Sequence, residues 1–142
     1  MTARVVTEAR AWIGTPYVHQ ASCRGAGADC LGLIRGVWRG IYGRDAESPP
    51  PYAMDWSEVS GHEHLWAAAL RHLHPTDTPD PGDVILFRMR DGAVAKHLGI
   101  QTAIGPDPAF VHAYSGQGVV ESRLTPPWAR RVVARFRFPD MA

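Results

Sequence analysis

The apolar residues of this chain change their spacing once, and that change limits the folds open to it. Up to residue 73 they recur at intervals of three and four, the period of one helix face; from residue 84 they form short runs or alternate, the pattern of strands. Helices first and a run of turn-linked strands afterwards predict an α+β fold, with N-terminal helices packed on an antiparallel sheet. At 142 residues, 45% of them hydrophobic, the chain has enough material for one core, so a single domain is expected over 1–142.

Val5, Val6, Ala9, Trp12 and Ile13 make the first helical stripe, with Thr2 as its cap and Gly14 as its stop. Residues 15–28 carry Pro16 and Gly25-Ala26-Gly27 with no period and read as a loop. The second helix starts at Cys30 with Asp29 as N-cap, presents Leu33, Ile34, Val37, Trp38 and Ile41, and ends at Gly43. Pro49, Pro50 and Pro51 mark 44–57 as a surface excursion, and a third helix over about 58–72 turns Leu65, Ala69, Leu70 and Leu73 inward. Strands are expected at 84–87, 97–102, 110–114, 119–122 and 131–138, with turns at Asp91-Gly92, around Gly105 and at Gly116. In the last strand Arg131, Arg135 and Arg137 share a face, read either as protection of a sheet edge or as a contact with an acidic partner or an anionic wall.

Fifteen Lys and Arg balance 14 Asp and Glu, which gives no reason to expect nucleic acid as a partner. No apolar run is long enough for a signal peptide or a membrane span, so no membrane insertion is expected, and the chain is expected to be made in the cytoplasm.

Cys30 opens a helix, where free backbone amides and the helix dipole lower a thiol pKa from ~8.5, to as little as ~3.5 with a histidinium nearby. The alternative is a small buried hydrophobe on an apolar helix, which composition alone favours. His97 and His112 shift that balance. With the turn centred near Ile104 and Gly105 they fall directly opposite one another, so one imidazole orients the other and completes a set of nucleophile, base and orienter. A metal reading of His19, Cys23 and Cys30 lacks a paired cysteine motif and a fourth ligand, and His62, His64, His72 and His74 read better as a solvated helix face. Neither metal nor cofactor is expected.

Ala28-Asp29-Cys30-Leu31-Gly32-Leu33 resembles the nucleophile motif of the NlpC/P60 cysteine peptidases, Lys96-His97-Leu98-Gly99-Ile100 their histidine motif, and Phe110-Val111-His112-Ala113 the segment with their third polar residue. Gly14-Thr15-Pro16-Tyr17 is similar to an approach loop of that family, and 81–87 to its first core strand. The resemblance implies a papain-like α+β fold and hydrolysis of peptidoglycan stem peptides, typically at the amide between D-glutamate and a diamino acid. It implies Cys30 as nucleophile, His97 as base, His112 as orienter, Tyr17 beside the oxyanion or the substrate amine, and Asp29 holding the amino end of the peptide. Many members carry serine directly after the nucleophile, where this chain has Leu31.

The compact form resembles the small peptidases of phage tails and gene transfer agents, which implies assembly on a particle and action in the envelope of a target cell. Tail-tip or baseplate proteins are then the expected partners. Trp56 and Trp128, beside polar or proline-rich segments, are read as docking anchors on such a partner or as cover for the chain's own core. The competing reading of the whole is a silent structural part of a tail tip that keeps the peptidase fold.

Overall fold

The computed structural model describes residues 1–47, 49 and 63–140. Trp56, His62, most of the 44–57 excursion and the first part of the expected third helix lie outside the described residues.

Helix α1 (Thr2–Arg10) buries Val5, Val6 and Ala9. Thr2 is not its cap: the Val5 amide already bonds the Met1 carbonyl, so Thr2 lies inside the first turn and its hydroxyl meets Asp80 Oδ2 at 3.4 Å. The helix stops before Gly14 because bonds from Trp12 to Ala9 and from Ile13 to Arg10 tighten the chain. That turn buries Trp12 and leaves Ile13 exposed, contrary to its place on the expected stripe.

Within 15–28 a two-residue hairpin forms, β1 (Ser22–Cys23) against β2 (Gly27–Ala28). These strands are too short and too small in their side chains to carry a period. Helix α2 (Cys30–Tyr42) follows the sequence closely: Asp29 caps it, and Gly43 ends it at φ 77°. Along one side of α2 the glycines admit neighbours. A β-carbon at Gly36 would collide with the Trp12 ring.

Helix α3 (His64–His72) buries Leu65 and Ala69, with Leu73 following, whereas Leu70 is 54% exposed. Leu65, Ala69 and Leu73 already form a stripe of period four, and Leu70 lies off it.

The main sheet contains β3 (His74–Thr76), β4 (Val84–Arg88), β5 (Ala95–Ala103), β6 (Ala109–Tyr114), β7 (Gly118–Arg123) and β8 (Val132–Arg137), in the spatial order β3-β8-β4-β5-β6-β7. The sequence does not announce β3, since Pro75 breaks the pattern; proline is tolerated there because β3 is an edge strand. With β3 outside it, β8 is not an edge, which corrects the edge-protection reading of its arginines. The Arg135 side chain is 13% exposed and donates to Gln101 Oε1 at 2.6 Å, and Arg137 Nε lies 3.6 Å from the buried Asp83 carboxylate.

One sheet face, carrying Val84, Leu86, Leu98, Ile100, Val111 and Ala113, closes the main core with residues of α1, α2 and α3. The other, carrying Ile85, Phe87 and Phe110, is covered by Leu124 and Trp128, the latter on the short helix α4 (Pro126–Ala129). No helix among the described residues is long and apolar enough to cross a membrane.

Candidate active site

Asp29 sets the start of α2. Its buried carboxylate accepts from the Gly32 amide at 2.7 Å through Oδ1 and from the Gln20 amide at 2.8 Å through Oδ2, with His19 Nδ1 3.8 Å away. One side chain therefore caps the helix and clasps the loop before it, at the residue whose φ of 67° is the one left-handed non-glycine conformation among those described. Both oxygens of Asp29, expected to hold the amino end of a peptide, are engaged by the protein's own backbone.

The cap fixes Cys30 in the first turn, with its sulfur against strand β5. Sγ lies 3.7 Å from the Lys96 carbonyl oxygen, and the Leu98 amide is directed at it together with the amides of Leu31 and Cys30 itself. Two features of β5 make room for this approach. Phe87 pairs with His97 but Arg88 with Ala95, so Lys96 is an extra residue in a bulge immediately before His97. The ladder between β5 and β6 pairs Ile100 with Val111, Gln101 with Phe110 and Ala103 with Ala109, all farther along the strand than Lys96 and Leu98. The sulfur thus meets the backbone of β5 at Lys96, while the His97 ring packs with Phe87 and Trp128, and among the described residues no hydrogen bond joins Sγ to that ring.

His97 Nε2 lies 2.8 Å from His112 Nδ1. The two residues do not stand directly opposite one another, as a turn centred on Ile104 and Gly105 would require. The register that pairs Ile100 with Val111 sets Tyr114 across from His97 and Gly99 across from His112, so the rings meet on a diagonal. A slip of two residues keeps every side chain on its face, which is why the contact survives the changed register. Gly99 makes the diagonal possible: a β-carbon there would stand 2.8 Å from Phe110 Cδ2 and 3.4 Å from His112 Cβ.

Sequence reasoning missed what lies beyond the pair. His112 Nε2 is 2.9 Å from Ser122 Oγ on β7, where the register pairs His112 with Val120 and Phe110 with Ser122. The tight Gly116 turn was the available signal, since it fixes that register. Trp128 follows the second of its two readings, as cover for the chain's own core. Its ring packs 5.7 Å from His97, 5.2 Å from His112 and 5.3 Å from both Phe87 and Phe110, so it walls the imidazoles from within the chain instead of standing out as a docking anchor.

This enclosure decides the charges. Burial pushes the Cys30 thiol up to about 12, the Asp29 carboxylate adds to the shift, and the three amides pull weakly the other way. Burial brings His97 down to about 3, with His112, Lys96 and Arg131 adding to it, and brings His112 down to about 4. The thiolate expected from a helix start is therefore not the resting state: desolvation outweighs the helix terminus, and thiol and imidazole are both neutral at pH 7. Tyr17 is half-buried and bridged to Ala28, and its hydroxyl is pushed up to about 12 by burial and by the neighbouring Cys30 and Asp29. It thus belongs to the same site.

Cys23 is exposed and unpaired with another cysteine. Among the described residues no three His, Cys, Asp or Glu side chains converge as metal ligands, and His72 instead meets Glu47 at 2.6 Å.

Solved structures share this architecture. The NlpC/p60 domain of the peptidoglycan hydrolase SagA superimposes with a TM-score of 0.66 at 22% identity, covering 97% of this chain and 99% of that one. An NlpC/P60 family protein from Bacillus cereus gives 0.65 at 18% identity, covering 97% of this chain and 40% of its own. A protein similar to a lipoprotein, of the NLP/P60 family, from Staphylococcus aureus gives 0.62 at 22%, covering 99% and 42%. This chain thus spans about two fifths of those two longer proteins. No curated protein sequence matches the chain. The sequence model of the NlpC/P60 family matches residues 14–137. Since that match runs from the turn before Tyr17 to the end of β8 and takes in the Cys30 helix and both histidine strands, the chain belongs to the NlpC/P60 family.

Proposed function

We propose that this protein hydrolyses an amide bond in the peptides of peptidoglycan, with Cys30 as nucleophile. One observation carries the reading: a cysteine in the first turn of α2 rests on the strand that bears His97, whose Nε2 is held by His112 at 2.8 Å. Family membership supports it, as does the likeness to SagA, a peptidoglycan hydrolase.

With Nε2 engaged, Nδ1 is the nitrogen His97 has left for chemistry. Thiol and imidazole are neutral at rest, so the proton passes from sulfur to Nδ1 as sulfur attacks the amide carbonyl. The Cys30 amide, which faces the sulfur at the helix start, turns to the oxyanion as that forms. Collapse breaks the C–N bond, His97 returns the proton to the leaving amine, and a thioester remains. Water then attacks the thioester and gives a proton to His97; the C–S bond breaks and sulfur recovers the proton. Tyr17 borders the substrate, and Asp29 acts by fixing Cys30 and the Gln20 loop.

The resemblance to small tail peptidases extends the proposal to an enzyme carried on a phage-like particle and held by tail-tip proteins. Detection of the chain in purified particles tests that part separately. For the chemistry, Cys30→Ala and His97→Ala should each abolish the loss of turbidity of suspended peptidoglycan. Clearing by Cys30→Ala as fast as by the natural protein would remove Cys30 as nucleophile, and no clearing by the natural protein would leave the fold a structural role only.

A further inference from the structure

His112 uses both ring nitrogens, Nδ1 toward His97 Nε2 at 2.8 Å and Nε2 toward Ser122 Oγ at 2.9 Å. The ring is fully buried, and burial keeps both imidazoles neutral, so each carries one N–H. A single hydrogen lies between the two rings, and only two arrangements satisfy the chain. In one, His97 donates from Nε2, His112 donates from Nε2 to Ser122, and His97 Nδ1 keeps a bare lone pair. In the other, Ser122 donates to His112, His112 donates from Nδ1, and the hydrogen of His97 is forced onto Nδ1. Only the first leaves His97 able to accept a proton from a thiol.

We propose that Ser122 is a positioning residue, whose hydroxyl oxygen accepts from His112 and so sets the tautomer of both histidines. The inference deepens the reading of Cys30 and His97 as a reacting pair and rests on it for its catalytic meaning. Ser122 sits on β7 opposite Phe110, on the His112 face by the observed register, and no sequence motif marks it. A hydroxyl suits the task because it accepts from Nε2 without bringing a charge, which leaves the imidazole neutral, and of its two roles only the accepting one leaves His97 Nδ1 bare.

The test is the nitrogen-15 spectrum of histidine-labelled protein at pH 7, in which the two tautomers have distinct shifts and couplings. The natural protein should show Nε2–H on both His97 and His112. Ser122→Ala should move His112 toward the Nδ1–H form, and Ser122→Thr, which keeps the hydroxyl, should restore the natural pattern. In peptidoglycan hydrolysis Ser122→Ala should lower kcat tenfold or more with KM unchanged, and Ser122→Thr should recover it. Nδ1–H on His97 in the natural protein, or tautomers unchanged in Ser122→Ala, would overturn the inference. Because the spectra need no substrate, tautomers that respond to Ser122 in a protein without hydrolytic activity sustain the inference and count against the hydrolase reading alone.

Discussion

At the scale of single residues, the site depends on what position 32 lacks. A β-carbon at Gly32 would fall inside the van der Waals shell of the Ala21 carbonyl oxygen and 3.1 Å from Asp29 Oδ1. Gly32→Ala must therefore displace the loop that Asp29 clasps, with an overpacking cost of about 1–3 kcal/mol. Thermal melts should show a clear fall for this variant. Gly40→Ala is the control. There a β-carbon meets only the carboxylate end of Glu8, which can swing away, and alanine's better helix propensity, ~1 kcal/mol over glycine, should hold or raise the melting temperature. Asp29 as cap and Cys30 in the first turn were legible because local spacing settles a helix start. The titration of Cys30 was not, because it depends on β5 closing over the sulfur, and β5 arrives from a distant part of the chain.

At the scale of elements, the β5 and β6 pair links folding to pH. His97 and His112 have folded values of about 3 and about 4 against an ordinary 6.5, so below pH 6.5 the unfolded chain takes up protons that the folded chain refuses. By linkage their contribution to stability is complete above pH 6.5 and is lost as pH falls toward about 3. Denaturant unfolding between pH 7 and 4 should therefore show stability falling with acid, and His112→Asn should flatten the slope by about one proton. Equal slopes in the two proteins would remove His112 from the account. That the two histidines share a face was legible from the alternation. Their diagonal register was not, since it depends on the irregularity between Gln101 and Ala103, which no turn residue announces. The arginines of β8 were misread for a related reason: Pro75 hid β3, and without β3 the strand looks like an edge.

At the scale of the whole molecule, the order of helices and strands gave the two layers, because hydrophobic period is written locally along the chain. The placement of β8 between β3 and β4 was not legible, since it joins residues some sixty positions apart, such as His74 and Arg137, through backbone bonds that no side-chain pattern records. That long-range closure brings the 126–129 helix and Trp128 over the histidines, so the fold itself builds the wall against which both imidazoles pack. The central claim is the proposal that Cys30, with His97 as its base, cuts a peptidoglycan amide. Its most direct test is mass spectrometry of the soluble fragments released when purified peptidoglycan is incubated with the protein. The account predicts new peptide termini from one kind of amide with the natural protein and none with Cys30→Ala; the same termini from Cys30→Ala, or none from the natural protein, would contradict it.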